Sequence, residues 1–321
     1  MIIEAQGAQH CLVRGRKLAF AVRVSGLEAQ ALEAFLYGTG KRPEWVSAAG
    51  CAGIGAELLG AAPDQTEAPV RVRELEDGRL ETRSGGAGRV VPISAGLRAD
   101  RMLPQSLHLL LAQQWARAGI LVVHAAAVST PQGGILILGS RGTGKSTLSV
   151  SALAAGLGAV SDDWMLLGID PANDITVERL RGFLMLRQSW AAERLGVQCP
   201  DLPLVTSPMR PKQVMQLRED AHRFPASAPI RAVWLLQRPR GARAERSVVR
   251  PASPAYCLRR LVEASMPLLF SAEFPHEHRA LLATAQHLIG TAPCQILEPG
   301  TDLVEEPAAA WRRLAPWALA A

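Results

Sequence analysis

Lysine is scarce in this chain of 321 residues. Lys17, Lys41, Lys145 and Lys212 are the only four among 35 basic residues, and arginine supplies the rest. High Ala, Arg and Gly together read as the coding bias of a GC-rich genome, which accounts for a net charge of +6 without a polyanionic partner. Aromatics are only 5% of the residues, and no basic stripe is interleaved with them. Nucleic-acid binding needs both features, so it is not expected. No uninterrupted apolar stretch is long enough to span a bilayer, so no membrane partner is expected. The start, Met1-Ile2-Ile3-Glu4-Ala5-Gln6, has neither the basic nor the apolar region of a secretion signal. Cysteines stand at 11, 51, 199, 257 and 294, an odd number with no C-x-x-C pair. A disulfide framework or zinc site is therefore not expected, and a reducing cytoplasm fits best.

What is present is enough to build a core, since 48% of the residues are hydrophobic. Residues 1–100 read as a smaller α+β domain, the candidate for substrate recognition. Lys17 to Val24 alternates as a half-buried strand does, and Gly26 to Tyr37 has helical spacing ending at Gly38. Val70 to Leu75 and Arg79 to Arg83 flank Glu76-Asp77-Gly78 as a hairpin, with Ser84 to Gly88 as a loop. Residues 101–321 read as an α/β nucleotide domain with C-terminal helices and a tail. Pro104 to Ala118 is expected as a helix and Gly119 to Val128 as one buried strand. Val177 to Leu186, Gln213 to Arg218 and Ala232 to Gln237 are further strands. Pro254 to Glu263 and His276 to Ile289 are further helices. Trp311 and Trp317 are expected to pack the tail onto the domain.

The most informative segment is Gly139-Ser140-Arg141-Gly142-Thr143-Gly144-Lys145-Ser146, followed by Thr147. It has the spacing G-x-x-x-x-G-K-[ST] of a phosphate-binding loop. Glycines let successive N–H groups curl toward a phosphate chain. The ammonium of Lys145 can reach the β- and γ-phosphates, and the Ser146 hydroxyl can ligate Mg²⁺. The apolar run Gly133 to Leu138 precedes the loop as a strand, and Ser146 to Ala155 continues as a helix stopping at Gly156. A nucleotide is therefore the expected partner.

Asp162-Asp163 is the second signal. Paired carboxylates beside a phosphate loop suit phosphoryl transfer, one holding Mg²⁺ and the other orienting or deprotonating a hydroxyl. Taken alone, the pair reads more readily as a surface turn with two helix-capping aspartates. Its position, seventeen residues after Lys145, leaves room for one helix between loop and acids.

The combination of His124-Ala125, the phosphate loop and Ser161-Asp162-Asp163 resembles the HPr serine kinase family, over about His124 to Asp163. Arg181-Gly182 and Arg210-Pro211 extend the resemblance weakly. Within the family, the Ala-rich His124 to Val128 segment and the plain Arg-rich tail are most similar to the kinases of lasso-peptide clusters, which phosphorylate a serine of a precursor peptide. The resemblance implies an α/β fold with the P-loop core shared with phosphoenolpyruvate carboxykinases. It implies ATP and Mg²⁺ as cofactors, and a precursor peptide or small protein as substrate. It implies Asp162 as base toward the acceptor hydroxyl, Asp163 and Ser146 as Mg²⁺ ligands, and Lys145 as the group that neutralises phosphate charge. His124 is implied beside the carboxylates, although a lone His at a strand end reads as well as a satisfied core residue. Arg181 and Arg210 are implied as phosphate or substrate clamps. The chain departs from the family at Ser140-Arg141, where Asp-Ser is usual, and at Arg179, where Glu is usual. The family's regulatory kinases assemble as oligomers, which leaves a homo-oligomer open. A small-molecule kinase on the same core, or a nucleotide-gated binding protein without transfer, remains an alternative.

Two features are weaker. His276-Glu277-His278 sets its histidines two apart, facing different sides of a helix, with no third ligand evident. Arg238, Arg240, Arg243, Arg246 and Arg250 form a basic run that reads as a solvated hairpin loop, or as a dock for an acidic peptide.

Overall fold

The computed structural model describes residues 9–14, 19–24, 44–46, 71–74, 80–84, 87–91, 116, 119–140, 142–179, 183–186, 213–216, 222–238, 244–265 and 278–318. It divides into two compact units, Met1–Gln114 and Trp115–Ala321.

In the first unit, β1 (Gln9–Arg14) pairs antiparallel with β2 (Ala19–Val24) and with β3 (Glu44–Val46). A second small sheet holds β4 (Arg71–Glu74), β5 (Leu80–Ser84) and β6 (Ala87–Val91). The hairpin expected around Glu76-Asp77-Gly78 is there, since β4 pairs with β5. The loop expected from Ser84 to Gly88 is tighter than that reading. Ser84 and Ala87 already pair with each other as the facing ends of β5 and β6. The helix expected over Gly26 to Tyr37 lies outside the described residues, as does the one over Pro104 to Ala118 except Ala116, which is helical.

The second unit is a mixed α/β fold on a nine-stranded sheet. Its strands are β7 (Leu121–His124), β8 (Ala126–Thr130), β9 (Gly133–Leu138), β10 (Gly158–Ser161), β11 (Trp164–Ile169) and β12 (Ile175–Arg179). The short pair β13 (Phe183–Leu186) and β14 (Gln213–Gln216) stands apart from it. The large sheet is completed by β15 (Ser227–Leu236), β16 (Val248–Pro251) and β17 (Cys294–Glu298). β15 is long enough to bind β9 along one side. Along the other side it binds β12 with its first half and β17 with its second.

The sheet is covered on both faces because its strands are apolar on both faces. Ala126, Val128, Ile135, Ile137, Ala232 and Trp234 pack against α1 (Lys145–Ala154) through Leu148 and Ala152. The alternating set Leu121, Val123, Ala125, Ala127, Leu136, Leu138, Val233 and Leu235 packs on the other face. There it meets α2 (Pro254–Ala264) through Cys257 and Leu261, and α3 (His278–Thr291) through Leu281, Ala285 and Leu288. α2 is capped by the Ser253 hydroxyl, which accepts from the Tyr256 N–H, with Pro254 at its first position.

After β17 the chain forms α4 (Asp302–Glu305) and α5 (Pro307–Leu314). Trp311 is fully buried and stacks on Trp234, with ring centroids 5.3 Å apart. Its indole N–H donates to Ser151 of α1 over 3.0 Å. Trp317 packs on the same cluster, so both tryptophans pack the tail as expected. Asp302 fastens the start of α4. Its carboxylate accepts from the Ser247 N–H and hydroxyl and from Arg313.

Two further sequence expectations need correction. Gly119 to Val128 is not one strand. It breaks at Ala125, and its halves pair with different neighbours. Val177 to Leu186 holds two strands, β12 and β13. β11, β16 and β17 were not anticipated, and all three are built into the large sheet.

Candidate active site

The phosphate loop connects β9 to α1. Gly142 and Gly144 have φ of +80° and +113°, a region that favours glycine. Gly139 is required for a different reason. A Cβ there would stand 2.7 Å from the Thr143 hydroxyl and 3.2 Å from Leu236 Cβ. The loop closes on itself through Ser140, whose carbonyl accepts from the Thr143 N–H at 3.3 Å and hydroxyl at 2.8 Å. Lys145 is buried at 6% exposure, and its ammonium donates back to the Gly139 carbonyl at 2.8 Å. Ser146 and Thr147 are half-buried in the first turn of α1. That helix opens at Gly144 with no side-chain cap and no acidic residue in its first turn, which leaves the positive end of its dipole without a competing anion of its own.

Asp162 and Asp163 are each 5% exposed, so they are not the surface turn that their sequence alone allows. They occupy the join between β10 and β11, opposite the join between β7 and β8. His124 pairs with Trp164 on one side, Ala127 with Ser161 on the other, and between them the Ala125 N–H donates to the Asp163 carbonyl at 3.1 Å. Two long antiparallel strands are thus interrupted at one level. A bulge between Ala159 and Ser161 precedes the acids. One extra residue there reverses which face of the sheet each following side chain takes, a common device for aiming a functional group.

Register brings loop and acids together. Ser161 is level with Ala127, and Ala127 with Leu136. The carboxylates that follow Ser161 therefore emerge where β9 gives way to Gly139. β8 alone separates β10 from β9, a span of roughly 10 Å at ordinary strand spacing. β9, β10, β15 and β17 all end at this edge, the side on which open α/β sheets bind ligands.

His124 belongs to the same cluster. Its Nε2 lies 3.4 Å from Asp163 Oδ1, and its ring packs at 5.3 Å from that of Trp164. The side chain is 36% exposed, which removes the reading as a satisfied core histidine. Arg141, Arg181, Arg210, His276 and Glu277 lie outside the described residues, and His278 begins α3. Among the described residues no group of three or more His, Cys, Asp or Glu forms a metal cluster. The oxygen donors Ser146, Asp162 and Asp163 still suit Mg²⁺, which takes one or two carboxylates and fills its octahedron with water and phosphate.

Sequence reasoning missed two arginines. Arg238 follows β15 and donates to the Gly142 carbonyl. Arg260 on α2 donates to the Ser140 hydroxyl at 3.1 Å and pairs with Glu263. The basic run containing Arg238 is therefore not simply a solvated loop, and Arg250 in it pairs with Glu298. No local signal marks either arginine as a neighbour of the loop. Arg238 is placed by the parallel pairing of β15 with β9, and Arg260 by the packing of α2 on the sheet.

Cys257 and Cys294 are free thiols that meet beneath α2. The contact with Cys294 and burial push the Cys257 thiol up, while Cys294, bonded to Cys257, is drawn down.

No protein-family model matches the chain, and no curated protein does. Among solved structures, the Hpr(Ser) kinase/phosphatase from Coxiella burnetii is similar at 14% identity. The match covers 60% of this chain and 95% of that one, with a TM-score of 0.31. A superposition of that quality does not establish a common fold. Among the described residues, no helix is long and apolar enough to cross a membrane.

Proposed function

We propose that the protein is an ATP- and Mg²⁺-dependent kinase that transfers the γ-phosphoryl group to a serine hydroxyl of a ribosomal precursor peptide. The observation that carries this reading is the shared sheet edge. Buried Asp162 and Asp163 come out level with the start of the phosphate loop, one strand away. A nucleotide-gated binding protein needs the loop and at most one carboxylate for Mg²⁺, but has no use for a second one buried there as a base. The serine acceptor and the peptide class rest on the resemblance of His124-Ala125, the loop and Ser161-Asp162-Asp163 to the HPr serine kinases.

In this reading the loop's backbone and Lys145 hold the phosphates, and Lys145 neutralises charge as the bond to the leaving group lengthens. Asp162 accepts the proton of the serine hydroxyl as its oxygen attacks the γ-phosphorus, and the P–O bond to ADP breaks. His124 holds Asp163 in place. Ser146 and Asp163 would hold Mg²⁺, which when bound screens the β- and γ-phosphate oxygens.

The test is mass spectrometry of a precursor-peptide panel incubated with the protein, ATP and Mg²⁺, beside the Asp162→Asn variant. A phosphate on a peptide serine, absent with the variant, is the expected result. Phosphate appearing only on small molecules would move the acceptor to a metabolite. No transfer to any acceptor, with nucleotide still bound, would leave a binding protein.

A further inference from the structure

Ser140 is the node of the phosphate loop. Its carbonyl accepts from the Thr143 N–H and hydroxyl, with the Lys145 ammonium at 3.4 Å, and its own hydroxyl accepts from Arg260. Arg260 is held in turn by Glu263, one turn along α2, which also binds Arg259 at 2.9 Å. Both arginines keep the Glu263 carboxyl below the usual carboxylate range, so it remains a charged brace. On the other limb of the loop, Arg238 donates to the Gly142 carbonyl. α1 lies on one face of the sheet and α2 on the other. The loop sits at the edge where the two layers meet, and Arg260 is the contact from the second layer.

We propose that Arg260 and Arg238 are positioning residues for the phosphates of a bound nucleotide, with Arg260 acting through the Ser140 hydroxyl and braced by Glu263. This inference rests on the nucleotide-binding reading above. The physical reason is the polarity of a phosphate cradle. An oxygen turned inward repels a polyphosphate, whereas an amide hydrogen attracts it. Arg238 holds the Gly142 carbonyl from outside and Arg260 pins the Ser140 side chain, and together they keep the loop in the state that presents N–H groups. A guanidinium suits this task because its planar fork serves the loop and a carboxylate at once. A lysine ammonium in its place keeps the charge but not the fork.

The experiment is a direct titration of the full chain with a fluorescent ATP analogue, which needs no acceptor. Wild type, Arg260→Ala, Arg260→Lys, Ser140→Ala, Glu263→Gln, Arg238→Ala and the Arg260→Ala/Ser140→Ala double variant are compared, with thermal midpoints as the control for folding. Arg260→Ala is expected to weaken binding about tenfold, Ser140→Ala by a similar factor, and the double variant no further than either. Arg238→Ala is expected to cost about as much as Arg260→Ala. Glu263→Gln is expected to cost roughly threefold, because it loosens the brace without removing the donor. Unchanged binding by Arg260→Ala, or losses that multiply in the double variant, would overturn the route through Ser140. Full recovery with Arg260→Lys would overturn it in favour of bare charge. Unchanged binding by Arg238→Ala would remove the second arm. A wild-type protein that binds no nucleotide overturns the functional reading and this inference together. Wild-type binding with an indifferent Arg260→Ala overturns only the inference.

Discussion

The phosphate loop and the carboxylate pair reach the same sheet edge by opposite routes. The closing bonds of the loop are local, since Thr143 and Lys145 both turn back on Ser140 and Gly139. At Asp163 the local contact is its N–H donating to the Ser161 hydroxyl at 3.3 Å. The place of Asp162 and Asp163 depends on β10 and β11 pairing with β8 and β7, and on a bulge at Val160. A locally closed loop is expected to withstand loss of distant packing, whereas residues set by register are expected to move with it.

The largest expected effects separate the two routes chemically. Lys145→Ala is expected to lower transfer by roughly 10³-fold or more and to weaken nucleotide binding with it. Asp162→Asn is expected to lower transfer by about 10²–10⁴-fold while nucleotide still binds. Paired measurements of binding and transfer check this division, and equal loss of binding in both variants would end it.

Next comes packing. Trp311→Ala removes a fully buried ring that stacks on Trp234 and bonds Ser151 of the loop's own helix. It is expected to cost about 3–5 kcal/mol of stability. If loop closure is local, nucleotide affinity measured well below the lowered melting temperature stays within a few-fold of wild type. If affinity falls in step with stability, the loop depends on the tail as much as the acids depend on register.

A smaller effect is expected within the loop. Gly139→Ala sets a Cβ against the Thr143 hydroxyl, at an overpacking cost of about 1–3 kcal/mol. It is expected to weaken nucleotide binding about tenfold and to lower the melting temperature by several degrees, because the added Cβ meets Leu236 of β15 as well as Thr143 of the loop. Isothermal titration beside a melting curve reads both.

The smallest effect is acid sensitivity of the tail. Burial opposes the charge on Asp302, but the hydrogen bonds from Ser247 and the Arg313 guanidinium outweigh it and hold the carboxyl below its usual value. The folded state therefore binds that proton less readily than the unfolded chain. The stability it contributes is complete above the unfolded value, about 3.9, and is lost as pH falls through the lower folded one. Melting curves of wild type and Asp302→Asn are expected to differ at pH 6, and the gap is expected to shrink progressively as pH falls below about 4. A gap that persists in acid would mean that shape, not charge, fastens the tail.

The local/long-range division also explains what could be read from the residues. The loop was legible because the residues that close it and face the phosphates, from the glycines to Lys145, fall within eight consecutive positions. Asp162-Asp163 could be found as a pair, but not distinguished from a surface turn, because burial is a property of their neighbours. The break at Ala125 was not read, since Gly119 to Val128 is apolar apart from His124 and the change of pairing partner is made by β10 and β11. β17 was missed because Cys294 to Glu298 is short and mixed in polarity, and only the exposed edge of β15 makes it a strand. Arg260 was one of many arginines until α2 packed beside the loop.

Local residue patterns were enough to establish the phosphate loop, the helix behind it, the packing role of Trp311 and the candidacy of two neighbouring carboxylates. Each follows from steric and hydrogen-bonding demands that act over a few residues. The folded layers were needed to bury the carboxylates level with the loop, to set His124 against Asp163, and to bring Arg238 and Arg260 onto the loop from outside the motif. Strand register and the packing of layers set those distances. Both arise from contacts between segments far apart in the chain, which no local pattern of residues encodes.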